Sequence, residues 1–281
     1  MNASWDSDTP AEPLRISALG WVRATLRGLL LAVLVFGGLA LLLLLRLVEA
    51  PLCGVNRPVT PFLTMVVCRN AFRVLGIRFE AEGDCMREPG IVVANHTSWL
   101  DIFALNARKR IYFVSKSEVA SWPGIGWLAR ATGTVFIERD RRKAGTQKTL
   151  FENRLKAGHK LLFFPEGTST DGQQVLPFKT TLFASLFDPD LRQDLYVQPV
   201  SVVFTAPAGA DVRFYGWWGD MDFAPHFLQI LAAYPQGSVR LIYHPPVPVR
   251  TYATRKELAA ACEDIVRSGH ARLQAQAPAQ H

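Results

Sequence analysis

The stretch IVVANHTSWLDIFALNA, residues 91–107, contains the change of pattern from which the fold class follows. An apolar run ends at Asn95, as expected for a buried strand, and a helical pattern begins near Ser98, a residue type that favours the N-cap position. His96 then lies on the loop between the two elements, where α/β proteins commonly bind ligands. The stretch therefore predicts a strand–loop–helix unit with a polar residue of functional interest at its bend.

The same alternation continues along the chain after Gly76. We predict strands at 77–82, 91–95, 111–115, 134–138, 160–164, 196–204 and 238–244, and helices at 98–107, 123–131, 141–157, 223–233 and about 254–268. Strands that alternate with helices predict an α/β domain over residues 76–270, in which helices flank a mostly buried central β-sheet. The Ala/Gln/Pro-rich tail, residues 271–281, is predicted to be disordered.

A long apolar run precedes this domain. Residues 28–45 are 18 uncharged residues between two arginines. As a helix they would extend about 27 Å, against a hydrocarbon core of about 30 Å, so they could span a bilayer or lie embedded as one arm of a hairpin. We predict a polar tail over 1–12 and two membrane-anchoring helices over 13–75.

The positions of the prolines predict the limits of these two helices. The first should start at Pro13 and run to about Leu47, because Pro51 follows. The second should run from Pro58 to Leu75.

The overall charge indicates an anionic partner. The formal net charge is +7, with 49% hydrophobic and 20% charged residues. Such a balance suits nucleic acid, an acidic membrane surface or an acidic protein. Nucleic acid would not account for the apolar run, so we predict membrane lipids and no nucleic acid as partners. The four cysteines are far apart and have no metal-ligand spacing, so we predict no metal site.

His96 and Asp101 form a candidate acid–base pair. Five residues are about 1.4 helical turns, so the two side chains would not share a helix face. With His96 on the loop and Asp101 in the first turn, the carboxylate can fold back onto the imidazole and fix its tautomer. The imidazole would then suit removal of a proton from a hydroxyl. Alternatively, His96 only satisfies backbone groups at the end of a strand.

Two further motifs place polar groups after strands. FFPEGTSTDG, residues 163–172, has Glu166 and Gly167 at a sharp turn whose amides could bind an anion. GTVFIERD, residues 133–140, ends with Arg139, a bidentate donor suited to phosphate or carboxylate.

The ordered set of motifs resembles the lysophosphatidate (1-acylglycerol-3-phosphate) acyltransferase family. The motifs are NHTSWLD (95–101), GTVFIERD (133–140), FPEGTS (164–169), LPFKT (176–180) and VQPV (197–200). The resemblance implies that His96 is the general base on the acceptor hydroxyl and Asp101 its orienting partner. It implies direct attack on an acyl thioester of acyl carrier protein or coenzyme A, with no further cofactor. Both donors are cytosolic, so the catalytic domain is expected on the cytoplasmic side of the cell inner membrane.

The resemblance also assigns candidate binding residues. Arg139, Glu166 and Gly167, with Thr168 and Ser169 beside them, would hold the acceptor headgroup. Further candidates are Asn95, Lys116, Lys179 and Pro199, the last within VQPV, where a proline in a strand predicts an edge or a bulge.

Ser169 departs from the family pattern, because phosphate-handling members usually carry arginine there. Loss of a guanidinium removes a strong phosphate anchor. The stretch instead resembles the branch that acylates lyso-ornithine lipid, some of whose members may also use lysophosphatidate. The alternatives are a lysophosphatidate-only acyltransferase, a lipid hydrolase or a non-catalytic lipid-binding anchor. The chain has no G-x-S-x-G motif for a hydrolase nucleophile.

Overall fold

The structure is a computed structural model that describes residues 5–7, 15–122, 124–137, 144–189 and 191–277. These residues form the predicted α/β architecture. The helices are α1 (Ala18–Cys53), α2 (Thr60–Leu75), α3 (Leu100–Asn106), α4 (Ile125–Thr132), α5 (Ala144–Lys156), α6 (Phe223–Ala232) and α7 (Arg255–Ala275). The strands are β1 (Arg78–Glu82), β2 (Gly90–Ala94), β3 (Tyr112–Lys116), β4 (Val135–Ile137), β5 (Leu161–Phe163), β6 (Tyr196–Thr205), β7 (Ser238–Tyr243) and β8 (Val247–Pro248). Short 3₁₀ segments lie at Ser117–Ser121, Thr180–Phe187 and Val249–Thr251.

The strands form one mixed sheet in the order β1-β7-β6-β2-β5-β3-β4, and β8 pairs with β6. β7 and β8 run antiparallel to β6, and the other neighbouring pairs are parallel. Because β2, β5 and β3 are parallel neighbours, their carboxyl ends lie at one edge of the sheet. The loops after β2 and β5 therefore meet there, which brings the predicted motifs together.

Alternate residues of β2 show how the sheet is covered. Val92 and Ala94 belong to a core shared with α1, α2, α3 and α6. Ile91 and Val93 belong to the opposite core, shared with α5, α7 and the 3₁₀ segment at Thr180–Phe187. All four are at most 1% exposed, as expected for a strand buried on both faces.

The first helix has different limits from those predicted. Ser17 is its N-cap, because its hydroxyl accepts from Gly20 N at 3.1 Å, so the helix begins at Ala18. Pro13, the predicted start, lies outside the described residues. It also continues past Leu47, with Pro51 inside its last turn, to Cys53. Its 36 residues correspond to about 54 Å. By length and composition, α1 is the one helix within the described ranges that could cross a membrane.

A buried carboxylate ties α1 to α2. Glu49 accepts from Thr60 Oγ1 at 2.6 Å and from the backbone amides of Val59 and Thr60 at 2.8 and 3.2 Å. These contacts satisfy amides at the start of α2, where the helix itself supplies no acceptor. At the other end of α1, Arg27 Nη1 donates to the Leu231 and Ala233 carbonyls at the end of α6. Glu49 therefore closes the turn of the helical hairpin, and Arg27 fastens α1 to the domain.

The last helix is longer than predicted. Thr254 caps α7, and its hydroxyl accepts from Glu257 N at 3.3 Å. The helix runs to Ala275, so residues 271–275 of the predicted disordered tail are helical. Leu273 is fully buried, which explains why packing extends the helix beyond the apolar pattern that we read in the sequence.

Candidate active site

His96 and Asp101 are in contact, as the loop-and-first-turn prediction requires. His96 Nδ1 lies 2.7 Å from Asp101 Oδ2. Because a carboxylate can only accept, Nδ1 carries the proton and Nε2 is left with its lone pair. The one hydrogen bond of the His96 ring within the described part of the chain is through Nδ1, and the side chain is 20% exposed. The free nitrogen is therefore arranged as a base with access to a ligand.

Asp101 also organises the loop that carries His96. Its Oδ2 accepts from Thr97 N at 2.7 Å and from Ser98 N at 3.0 Å, and the side chain is fully buried. The predicted N-cap at Ser98 is wrong, since α3 begins at Leu100 and Ser98 Oγ only approaches Leu100 N at 3.4 Å. The carboxylate of Asp101 performs the role of satisfying the amides before the helix.

Glu166, which was predicted to hold a headgroup, is buried against the loop that carries His96. It is 1% exposed, and its two oxygens accept from His96 N at 2.7 Å and Leu176 N at 2.9 Å. Burial raises the pKa of Glu166 to about 8, although both amide contacts act in the opposite direction. Glu166 is therefore a positioning residue that fixes the backbone of His96.

Three contacts to the loop that carries His96 were not foreseen from the sequence. The ring of Phe164 stacks on His96 with centroids 3.9 Å apart and planes 9° apart. Thr170 N donates to the His96 carbonyl at 3.0 Å, and Trp217 N donates to the Thr97 carbonyl at 2.9 Å. Only Phe164, as the residue directly after β5, had a position that could have signalled its role.

The turn after β5 presents the groups that remain available to a ligand. Gly167 has φ +73°, and a Cβ there would lie 2.7 Å from Lys179 Nζ, so the exposed Lys179 amine lies over this glycine. Thr168 and Ser169 are partly exposed on the same turn. These four residues therefore form one polar surface on the loop that also fixes His96.

Two other candidates lie outside this surface or outside the described residues. Lys116 is the half-exposed last residue of β3, two strands away from β2 at the same edge of the sheet. Arg139 lies outside the residues that the structure describes.

Asn95 and Pro199 belong to the sheet. Asn95 is 1% exposed and exchanges two 2.8 Å hydrogen bonds with the backbone of Val202 in β6. Pro199 is buried in β6 between β7 and β2, which corrects the predicted edge or bulge. Its carbonyl accepts from His244 N, at the bend between β7 and β8, and the His244 carbonyl accepts from Gln198 Nε2 at 2.9 Å, so a side chain replaces the donor that Pro199 lacks.

Comparisons with known proteins agree with this geometry. A family model described as acyltransferase matches residues 76–203. The chain is 55% identical over 265 residues to the lyso-ornithine lipid O-acyltransferase of Rhodobacter capsulatus, an alignment that covers 94% of this chain and 96% of that one. It is 33% identical over 261 residues to the lyso-ornithine lipid O-acyltransferase of Rhizobium meliloti, with 89% and 86% covered.

A solved structure shares the fold. The crystal structure of the 1-acyl-sn-glycerophosphate acyltransferase from Thermotoga maritima superposes with a TM-score of 0.64 over 91% of this chain and 96% of that one, at 22% identity. The histidine–aspartate pair, the matched domain and the full-length relatives lead to one conclusion. The chain belongs to the acyltransferase family.

Proposed function

We propose that the protein is a membrane-attached O-acyltransferase that moves a fatty acyl group from a thioester to the free hydroxyl of lyso-ornithine lipid. The observation that carries the proposal is the 2.7 Å contact between His96 Nδ1 and Asp101 Oδ2, which leaves Nε2 accessible. It occurs in a chain that is 55% identical to a lyso-ornithine lipid O-acyltransferase over nearly its whole length.

The reaction needs one base and no covalent intermediate. His96 Nε2 takes the proton of the acceptor hydroxyl as its oxygen attacks the thioester carbonyl. The carbon–sulfur bond then breaks, and the leaving thiolate takes the proton back from the imidazolium. Asp101 stabilises that imidazolium through Nδ1–H, and general-base assistance of this kind contributes about 10²–10⁴ in rate.

Two of the four cysteines are unsuited to forming an acyl-enzyme. Cys68 and Cys262 are buried, and burial raises the pKa of both thiols, that of Cys68 to about 12. A thiol that stays protonated is a poor nucleophile. Within the described residues, His96 has its one side-chain partner in Asp101, so no hydroxyl or thiol is placed to be activated by it.

The polar surface after β5 favours a headgroup with a carboxylate over one with a phosphomonoester. Ser169 offers a hydroxyl where an arginine would bind phosphate in two places. The exposed Lys179 amine over Gly167 can pair with the single carboxylate of an ornithine headgroup. Thr168 and Ser169 can accept from its ammonium group.

The exposed face of the hairpin supports membrane attachment. Large apolar side chains of α1 remain outside the core, among them Val33 and Leu47, each 73% exposed. Trp127 on α4 is 62% exposed and extends the apolar surface beyond α1 and α2. Residues 13–75 would hold the domain on the cytoplasmic face of the inner membrane, where acyl carrier protein and coenzyme A thioesters occur.

The test is acyl transfer by isolated membranes offered a labelled acyl thioester and a panel of lysolipids. The panel contains lyso-ornithine lipid, lysophosphatidate and lysophosphatidylcholine. We expect transfer to lyso-ornithine lipid in the wild type and its loss in His96→Ala. His244→Ala is the matched control, because His244 is half-buried and contacts Ser201 Oγ away from the catalytic loop. Transfer to lysophosphatidate alone would overturn the assigned headgroup, and free fatty acid as the sole product would indicate a hydrolase.

A further inference from the structure

Two arginines from different faces of the sheet meet at the end of α4. Arg57, in the loop between α1 and α2, donates from Nη1 to the Ala131 carbonyl at 2.6 Å. Arg154, on α5, donates from Nη2 to the Gly133 carbonyl at 2.6 Å. A Cβ at Gly133 would lie 3.0 Å from Arg57 Cζ and 3.2 Å from Arg154 Nη2, so both guanidinium groups approach the same point.

The carbonyls at the end of α4 explain only part of this arrangement. The negative end of a helix attracts cations, but two guanidinium groups carry ten N–H donors between them. Among the described residues, each group makes one hydrogen bond, and Arg154 Nε is buried without a partner there. Neither arginine pairs with a carboxylate among the residues that the structure describes. The site therefore holds an excess of positive charge and of unused donors.

A buried histidine adds a second sign that a ligand is missing. His159 is 6% exposed, and both of its ring nitrogens are buried without a hydrogen-bond partner in the described part of the chain. Its ring stacks on the ring of Tyr112 with centroids 4.4 Å apart. Arg154 Cζ lies 4.5 Å from the centroid of the same Tyr112 ring. Burial, then Arg154 and Arg57, lower the pKa of His159 to about 4. The positive charges of Arg154 and Arg57 therefore act on His159.

The position of the site suggests where its ligand comes from. Tyr112 and Gly133 lie at or before the amino ends of β3 and β4, so this edge of the sheet is opposite to the edge that carries His96. The turn of the helical hairpin is adjacent and exposes Leu52 at 77%, Val55 at 60% and Phe62 at 51%. Apolar side chains next to clustered arginines are the arrangement of a protein surface that enters the headgroup layer of a membrane.

We propose that Arg57 and Arg154 form a binding site for the phosphate of an anionic membrane phospholipid, separate from the catalytic site. The ligand chemistry is a phosphate diester on a lipid, which can accept in two places from each guanidinium. The site would hold the turn of the hairpin at the bilayer surface and set the tilt of the domain above it. This inference rests on the proposed attachment of the hairpin to the membrane.

The test is flotation of the full-length protein with vesicles of phosphatidylcholine alone or with one fifth phosphatidylglycerol. We expect the wild type to bind the anionic vesicles more tightly. Arg57→Gln/Arg154→Gln should lose about 25-fold in affinity for them, at about five-fold for each guanidinium, and little on neutral vesicles. Arg255→Gln/Lys256→Gln, which removes two exposed charges from the start of α7, is the control for net charge and should change binding less than about two-fold.

Several outcomes would separate this proposal from its premises. Arg57→Lys/Arg154→Lys keeps both charges but loses the paired N–H donors, so its affinity for the anionic vesicles should lie between those of the wild type and the glutamine pair. Thermal unfolding of each variant shows that the domain is folded. If the control pair loses as much affinity as the arginine pair, the loss comes from the change in net charge and the proposed site is refuted. Inorganic phosphate could raise the unfolding temperature of the wild type while the arginine variants bind vesicles as tightly as the wild type. In that case the site binds free phosphate and the lipid assignment is wrong. Failure of the wild type to bind either vesicle would refute membrane attachment itself.

Discussion

Replacing Asp101 with asparagine separates the two roles of this carboxylate. The amide oxygen of Asn can take the place of Oδ2 and still accept from Thr97 N and Ser98 N. Its NH₂ group then lies where Asp101 Oδ1 is buried without a partner. An unsatisfied buried donor costs about 1–3 kcal/mol of folding free energy, so D101N should fold with lowered stability.

The loss of the negative charge of Asp101 should slow the reaction. An imidazolium and a carboxylate about 4 Å apart attract by about 4 kcal/mol at an effective dielectric constant of about 20. Asparagine has no such attraction for the His96 imidazolium, so kcat should fall by about 10³. KM for the lysolipid should change little, because Asp101 is fully buried and cannot contact it.

The assay is steady-state acyl transfer to lyso-ornithine lipid in mixed micelles, with thermal unfolding measured in parallel. Asp211→Asn is the matched control, since it removes a carboxylate that pairs with Arg213 at 2.7 Å and should leave kcat within about two-fold. A kcat for D101N within about ten-fold of the wild type, in a folded protein, would refute the role that we give to the histidine–aspartate pair.

Three further predictions follow from burial and exposure. Because burial raises the pKa of Glu166 to about 8, the folded state keeps a proton that the unfolded state loses, and the free energy of unfolding should fall between about pH 5 and 8 by up to about 1.4 kcal/mol per unit. Denaturant titrations of the wild type should show this slope and those of Glu166→Gln should not; an equal slope would contradict the assignment. Asn95→Ala leaves both backbone groups of Val202 unpaired, so calorimetry should show a loss of about 2 kcal/mol or more without a rise in the KM for lysolipid, and a KM effect alone would restore Asn95 to the binding site. Trp127→Ala should weaken partition into neutral vesicles about ten-fold, from about 1.5 kcal/mol of lost burial, whereas Val212→Ala should not; equal partition would place α4 outside the membrane surface.

The sequence was most informative where local patterns decide the structure. The apolar runs predict the central strands because a sheet covered on both faces needs them, as Ile91 and Val93 show. The contact between His96 and Asp101 was predictable from the short distance between a loop position and the first turn of the next helix. The family resemblance was drawn from the order of the motifs, and the 55% identical relative confirms the family.

Contacts between residues far apart in the chain could not be predicted from the sequence. The family resemblance placed Glu166 at a headgroup, but the sequence could not show that Glu166 is buried and accepts from an amide 70 residues away. Pro199 was assigned to an edge because a missing N–H is costly in a ladder, but the bend at His244 lies opposite it. The limits of α1 depended on the cap at Ser17 and not on the proline that precedes it.

The central claim is that the His96 imidazole removes the proton of a lysolipid hydroxyl for direct attack on a thioester. Single-turnover transfer from a labelled thioester to lyso-ornithine lipid by the wild type, His96→Ala and His244→Ala in equal amounts of membrane-bound protein tests it most directly. We expect His96→Ala to be slower by at least about 100-fold, with no labelled protein formed at any time and with His244→Ala unaffected. Transfer by His96→Ala at the wild-type rate, or a labelled acyl-protein that forms before product, would contradict it.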